Sequence, residues 1–134
     1  MFYLKTITVP KNTPINNPYK ETLLAVKGVI HRVIIVIPPG HLGLTGLRIL
    51  HESTTIAPSN PDGWFRGDDV RIDYNERYEI KSSPALIEFQ AYNLDQTFDH
   101  EFVVGIGILP KEYLPEKKAK GKIIEKIKSL LAKI

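Results

Sequence analysis

Glu101-Phe102-Val103-Val104-Gly105-Ile106-Gly107-Ile108-Leu109 is the stretch that decides how this chain folds. Read at a period of two, Phe102, Val104, Ile106 and Ile108 fall on one side, and Val103, Gly105 and Gly107 on the other. That is the alternation of a β-strand with one face in a core. Two glycines at i, i+2 leave a flat strip on the second face, where another group can approach closely. Pro110 stops the strand.

The same rhythm runs back along the chain. Leu86–Asn93 places Ile87, Phe89 and Ala91 on one face and Glu88, Gln90 and Tyr92 on the other. Val29–Ile37 is apolar on both faces, so it reads as a central strand covered on both sides. Covering both faces requires a second sheet together with the C-terminal segment or a neighbouring subunit. Leu4–Val9, Glu21–Val26, Leu44–Glu52, Thr54–Ala57, Val70–Tyr74 and Tyr78–Ile80 complete the set. Turn signals separate these runs at intervals of about 8–15 residues, the spacing of a sandwich or barrel. Lys27-Gly28 reads as a two-residue hairpin turn between two strands. The expected fold is all-β: an antiparallel β-sandwich of about eight strands, jelly-roll-like, with a C-terminal amphipathic helix.

Charge divides the chain differently. Residues 111–134 hold eight lysines and three glutamates, a net +5, whereas residues 1–110 hold ten basic and twelve acidic side chains, a net −2. The expected organisation is a β-sandwich body over 1–110, a basic linker over 111–121 and an amphipathic helix over 122–134. At 100° per residue, Ile123, Ile124, Ile127, Leu130, Leu131 and Ile134 share an arc of about 120°. Lys122, Glu125, Lys126, Lys128, Ser129 and Lys133 lie outside it. About 18 Å of helix is marginal alone in water, so it forms only when its stripe is buried. The stripe has three destinations: its own body, a partner or second copy, or an anionic membrane surface. The reading carried forward is the intersubunit one, with those six aliphatic side chains as the oligomerisation residues and a homo-oligomer as the result.

Composition narrows the chemistry. With 134 residues, 43% hydrophobic and 25% charged, the chain is one ordinary globular domain. It has no cysteine, which removes disulfides, thiolate metal sites and cysteine nucleophiles. Ten prolines, one methionine and only Gln90 and Gln96 as glutamines fit a heat-adapted source. Met1-Phe2-Tyr3-Leu4-Lys5 lacks a basic region followed by an apolar run, and the apolar stretch Val33–Pro39 is far short of a membrane span. The expected location is a virion or the cytoplasm.

Candidate sites are sparse. His31, His41, His51 and His100 match no compact metal motif, although His31 and His51 lie in strands that could approach. A cupin-type enzyme needs a tight histidine–glutamate cluster, and this spacing supplies none. Asp62, Asp68, Asp69 and Asp73 gather around one loop and read as turn and cap carboxylates rather than a calcium site. Asp95, Asp99 and His100 are the other place for an acid–base pair. No cofactor or metal is expected. There is no phosphate-binding glycine loop and no nucleophile elbow. Nucleic-acid binding would rest on tail lysines alone and is not expected. The loop Pro58–Asp69 is the interaction loop, with Trp64, Phe65 and Arg66 at its tip. Its aromatic pair is either an exposed anchor or a lid over the core edge. Arg66-Gly67-Asp68 is treated as a chance tripeptide.

Gly28-Val29-Ile30-His31-Arg32, the turn Asn60-Pro61-Asp62-Gly63, Tyr78-Glu79-Ile80, and the run from Ala91-Tyr92-Asn93-Leu94-Asp95 through His100 to Gly107-Ile108-Leu109-Pro110 carry a resemblance. They resemble small uncharacterised virion-associated β-sandwich proteins of bacterial and archaeal viruses, over roughly residues 16–110. The resemblance implies a non-enzymatic virion component, a decoration or minor capsid protein. Its partners would be protein subunits, either copies of itself or a major capsid protein. The alternative from another class is a carbohydrate- or ligand-binding module using Trp64, Phe65 and nearby tyrosines.

Overall fold

The computed structural model describes residues 1–113 and Lys128. Its strands are β1 (Phe2–Val9), β2 (Tyr19–Ala25), β3 (Gly28–Ile37), β4 (Thr45–His51), β5 (Thr54–Ala57), β6 (Val70–Ile80), β7 (Ala85–Asn93) and β8 (His100–Leu109). A short 3-10 turn, Lys111–Tyr113, follows Pro110. Among the described residues the chain is all-β, in two four-stranded antiparallel sheets ordered β1-β8-β3-β6 and β2-β7-β4-β5.

The pairing is nested. Folding the chain back at the β4–β5 hairpin opposes β4 to β5, β3 to β6, β2 to β7 and β1 to β8, and each of those pairs is hydrogen-bonded antiparallel. The double ribbon then divides between the sheets. β8 also pairs with β3, and β7 also pairs with β4. Consecutive strands are therefore paired only at β4–β5. Lys27-Gly28 is not a hairpin turn: β2 and β3 belong to different sheets, and the chain crosses between them there. Gly28 is needed for a different reason. A Cβ on it would lie 2.7 Å from the Leu109 carbonyl oxygen.

Alternation places the core between the sheets. Ile87, Phe89 and Ala91 of β7 and Phe102, Val104, Ile106 and Ile108 of β8 are buried, as the period-two reading expects. Val33, Ile35 and Ile37 of β3 and Leu47 and Ile49 of β4 join them in one cluster. β3 is central, between β8 and β6. Its outer face, with Ile34 and Val36, is only half-buried. Val70–Ile80 is one strand and not two, because it is an edge strand whose alternate residues face water and tolerate Asn75 and Arg77. His31 forms a bulge where the β3 register shifts between Ile30 and Arg32. At the edge formed by β1 and β2, Lys5 Nζ donates to the Thr22 carbonyl at 3.0 Å and sits 4.0 Å from Glu21 Oε1. Charges at this position discourage edge-to-edge pairing with other chains.

The helix expected over 122–134, with Ile123, Ile124, Ile127, Leu130, Leu131 and Ile134, lies outside the described residues apart from Lys128. No helix among the described residues is long and apolar enough to cross a membrane.

Candidate functional site

Three places on the described body gather functional side chains. The first is the loop between β5 and β6. It turns at Asn60-Pro61-Asp62-Gly63, where the Gly63 amide donates to the Asn60 carbonyl at 2.9 Å. The Asn60 side chain fills the space a Cβ on Gly63 would occupy, at 2.4 Å. The turn folds the loop tip back over the outer face of β4 and β7. Phe65 pairs with Leu47 through both backbone groups, at 2.8 and 3.0 Å, and packs against the core. Trp64 is half-buried. Its ring meets Tyr92 edge-on at 4.9 Å, and the Arg48 guanidinium lies 4.2 Å over its face. Arg66 is exposed, with its guanidinium 5.6 Å from the Tyr92 ring.

A polar row runs beneath the loop. Arg48 Nε and a terminal guanidinium nitrogen donate to Gln90 Oε1 at 2.9 and 2.6 Å. Gln90 Nε2 donates to Glu88 Oε2 at 2.6 Å. This explains why Gln90 and Tyr92, on the outward side of β7, are buried. Gly46 belongs to the same arrangement, because a Cβ there would lie 2.3 Å from the Tyr92 ring. Burial pushes the Tyr92 hydroxyl pKa up. Of the three loop-tip residues, Trp64 and Phe65 are partly buried against the sheets and Arg66 is exposed.

The second place is the end of the body where the β3–β4 and β7–β8 connections meet. His41 is 1 % exposed, and its ring lies tilted against His100 at 4.6 Å and edge-on to Phe102 at 4.9 Å. Its Nε2 lies 3.0 Å from the Glu101 carbonyl, which can only accept, so Nε2 carries the proton. Nδ1 then accepts from the Thr45 hydroxyl at 2.6 Å. Burial and, next, the adjacent His100 lower the His41 pKa. His100 Nε2 meets Asp95 Oδ2 at 2.8 Å. Asp95 also accepts the Thr97 and Phe98 amides, and chiefly the Thr97 amide, then His100, holds its carboxyl below the usual range. Asp68 accepts the Gly40 and Leu42 amides at 2.8 and 3.1 Å, which lowers its pKa, the Leu42 bond most. Asp99 accepts the Lys11 amide. These groups tie four connections together.

The sequence singles out Asp95 and His100 as a pair, and the fold brings them together. It does not bring His31 to His51. His31 lies over Gly107, with Nε2 2.7 Å from where a Cβ would stand, whereas His51 Nδ1 meets the Tyr78 hydroxyl at 2.7 Å. The pair the sequence does not indicate is His41–His100. Asp62, Asp68, Asp69 and Asp73 do not converge: Asp73 binds Arg32 at 2.7 Å and Arg71 at 3.4 Å, and Asp68 serves the β3–β4 loop. Among the described residues no group of three or more histidines and carboxylates is arranged to hold a metal ion.

The third place is the outer face of β1-β8-β3-β6. The flat strip at Gly105 and Gly107 is occupied from within the chain. The Phe2 ring lies over Gly105, with Cζ 2.5 Å from a Cβ position, and His31 lies over Gly107. Phe2 and Leu4 remain 51 % and 70 % exposed on top of this surface. No protein-family model matches the chain, and no curated protein matches it.

Proposed function

We propose that this chain is a non-enzymatic assembly protein of a virus particle, a decoration or minor capsid component that docks on neighbouring subunits through residues 122–134. The observation that carries the reading is the nested strand order. A ribbon closed at β4–β5 and divided as β1-β8-β3-β6 and β2-β7-β4-β5 supports a jelly-roll reading of the two sheets. Jelly rolls are a common architecture of viral capsid domains. The functional step from fold to virion is an analogy of architecture.

Two further features support it. Three titratable side chains of the body hold loops: His41, Asp68 and Asp95 each bond backbone or a neighbouring side chain. The last segment carries a net +5 against a body of net −2 and bears six large aliphatic residues on one helical arc. Such residues contribute about 1.5–3 kcal/mol each when fully buried, offset in large part by ordering the segment. The partners are copies of this chain or a major capsid protein. Ending the chain after Pro115 tests the reading. The shortened protein is expected to lose its oligomeric state or particle attachment while its body stays folded. Retention of both, with only a lower melting temperature, would show that the segment serves its own body.

A further inference from the structure

We propose that the outer face of the sheet β1-β8-β3-β6 is the seat for residues 122–134 of a neighbouring copy. This rests on the assembly reading above and names the surface that reading leaves open. Strand β1 directs Phe2 and Leu4 outward, and both are more than half exposed, at 51 % and 70 %. The register sets Leu4 opposite Gly105 and Gly105 opposite Ile34. One row further along, Thr6 faces Val103 and Val103 faces Val36. Ile34, Val36 and Val103 are half-buried. Phe2, Leu4, Ile34, Val36 and Val103 thus form a continuous apolar surface across β1, β8 and β3, with the Phe2 ring laid over Gly105 at its middle. The Arg32–Asp73–Arg71 ion pairs, at 2.7 and 3.4 Å, bound it on the β6 side.

The width suits one helix. Three adjacent strands span about 10 Å, and a helix is about 10 Å across with its side chains. Its six-residue aliphatic stripe matches a surface that has no charged side chain between β1 and β3 in those two rows.

Beyond Lys111, whose Nζ lies 3.3 Å from Glu79 Oε1 on β6, enough chain follows to reach a neighbour's sheet. Residues 114–121, when extended, reach about 26–29 Å, enough to leave the body.

The experiment uses three chains: the full chain, the chain ended after Pro115, and the full chain carrying Phe2→Asp and Leu4→Asp. The two replaced side chains are exposed, and unchanged circular dichroism checks the fold. Sedimentation is expected to give a multiple of 15.2 kDa for the full chain and a single-chain mass for each variant alone. Mixing the variants is expected to restore association, because one offers an intact face and the other an intact segment. If the face variant keeps the full-chain mass while the truncated chain loses it, the seat lies elsewhere and only the assembly reading survives. A truncated chain that keeps the full-chain mass overturns the assembly reading itself. Failure of the mixture to associate overturns the proposal, as does a full chain that sediments as a monomer and loses melting temperature on truncation.

Discussion

Replacing Trp64 with alanine separates a lid from an exposed binding anchor. The ring is half-buried, stacked by Arg48 at 4.2 Å and met edge-on by Tyr92 at 4.9 Å. Complete truncation of a fully buried large aromatic costs about 3–5 kcal/mol, so half-burial brings the packing loss to about 2 kcal/mol. The edge-to-face pair adds about 0.5–1.5 kcal/mol and the cation–π contact about 0.5–1 kcal/mol. These terms overlap, and the expected cost is about 2–4 kcal/mol. For a domain of this length that lowers the melting temperature by about 8–15 °C. Trp64→Phe keeps an edge for Tyr92 and should cost about half as much. A double-mutant cycle with Arg48→Met should return a coupling of about 0.5–1 kcal/mol, which isolates the cation–π contact. Urea and thermal melts read all of these. A Trp64→Ala protein within about 0.5 kcal/mol of the parent would refute the lid and return Trp64 to the role of a free anchor.

The β4–β5 turn places Glu52 and Ser53 at φ 50° and 66°, a conformation suited to asparagine and glycine. Glu52→Asn with Ser53→Gly should therefore raise stability by about 0.5–1 kcal/mol, and a lower melting temperature would contradict the strain. His41 is held neutral, its pKa lowered by burial and by His100. The unfolded chain then takes up the proton first as pH falls below about 6.5. The urea midpoint should decline from pH 7 to pH 5, and His41→Gln should flatten that slope; an equal slope in both proteins would contradict it. Asp68 and Asp95, whose pKa values are depressed chiefly by backbone amides, stabilise the fold above the usual carboxylate range and lose that contribution as pH falls below about 4.

The strands and their faces were legible because a two-sided sheet forces a period of two. Ile87, Phe89 and Ala91, and Phe102 through Ile108, are buried as that period requires. Pairing was not legible, because partners are set by closure of the whole ribbon. Phe2 finds Gly107, and Tyr19 finds Ala91, across most of the chain. Lys27-Gly28 carried the signature of a hairpin, yet its glycine answers to the Leu109 carbonyl of a distant strand. The break expected between Tyr74 and Tyr78 is absent because an edge strand accepts polar residues on its wet side. At the loop tip the aromatic pair was visible in sequence. Arg48 and Tyr92, which clamp Trp64, come from two other strands and share no local pattern with it. His41 and His100 likewise meet only because two connections close over one end of the core.

The claim that most needs a direct answer is where residues 122–134 come to rest. A photo-crosslinking residue at position 127, introduced into a mixture of isotopically light and heavy chains, reports both the surface touched and the copy that owns it. The account predicts light–heavy crosslinked peptides joining position 127 to the segment 1–9 or to residues 31–37, on the outer face of β1 and β3. Crosslinks confined to chains of a single isotope, or falling on the β2-β7-β4-β5 sheet, would contradict it.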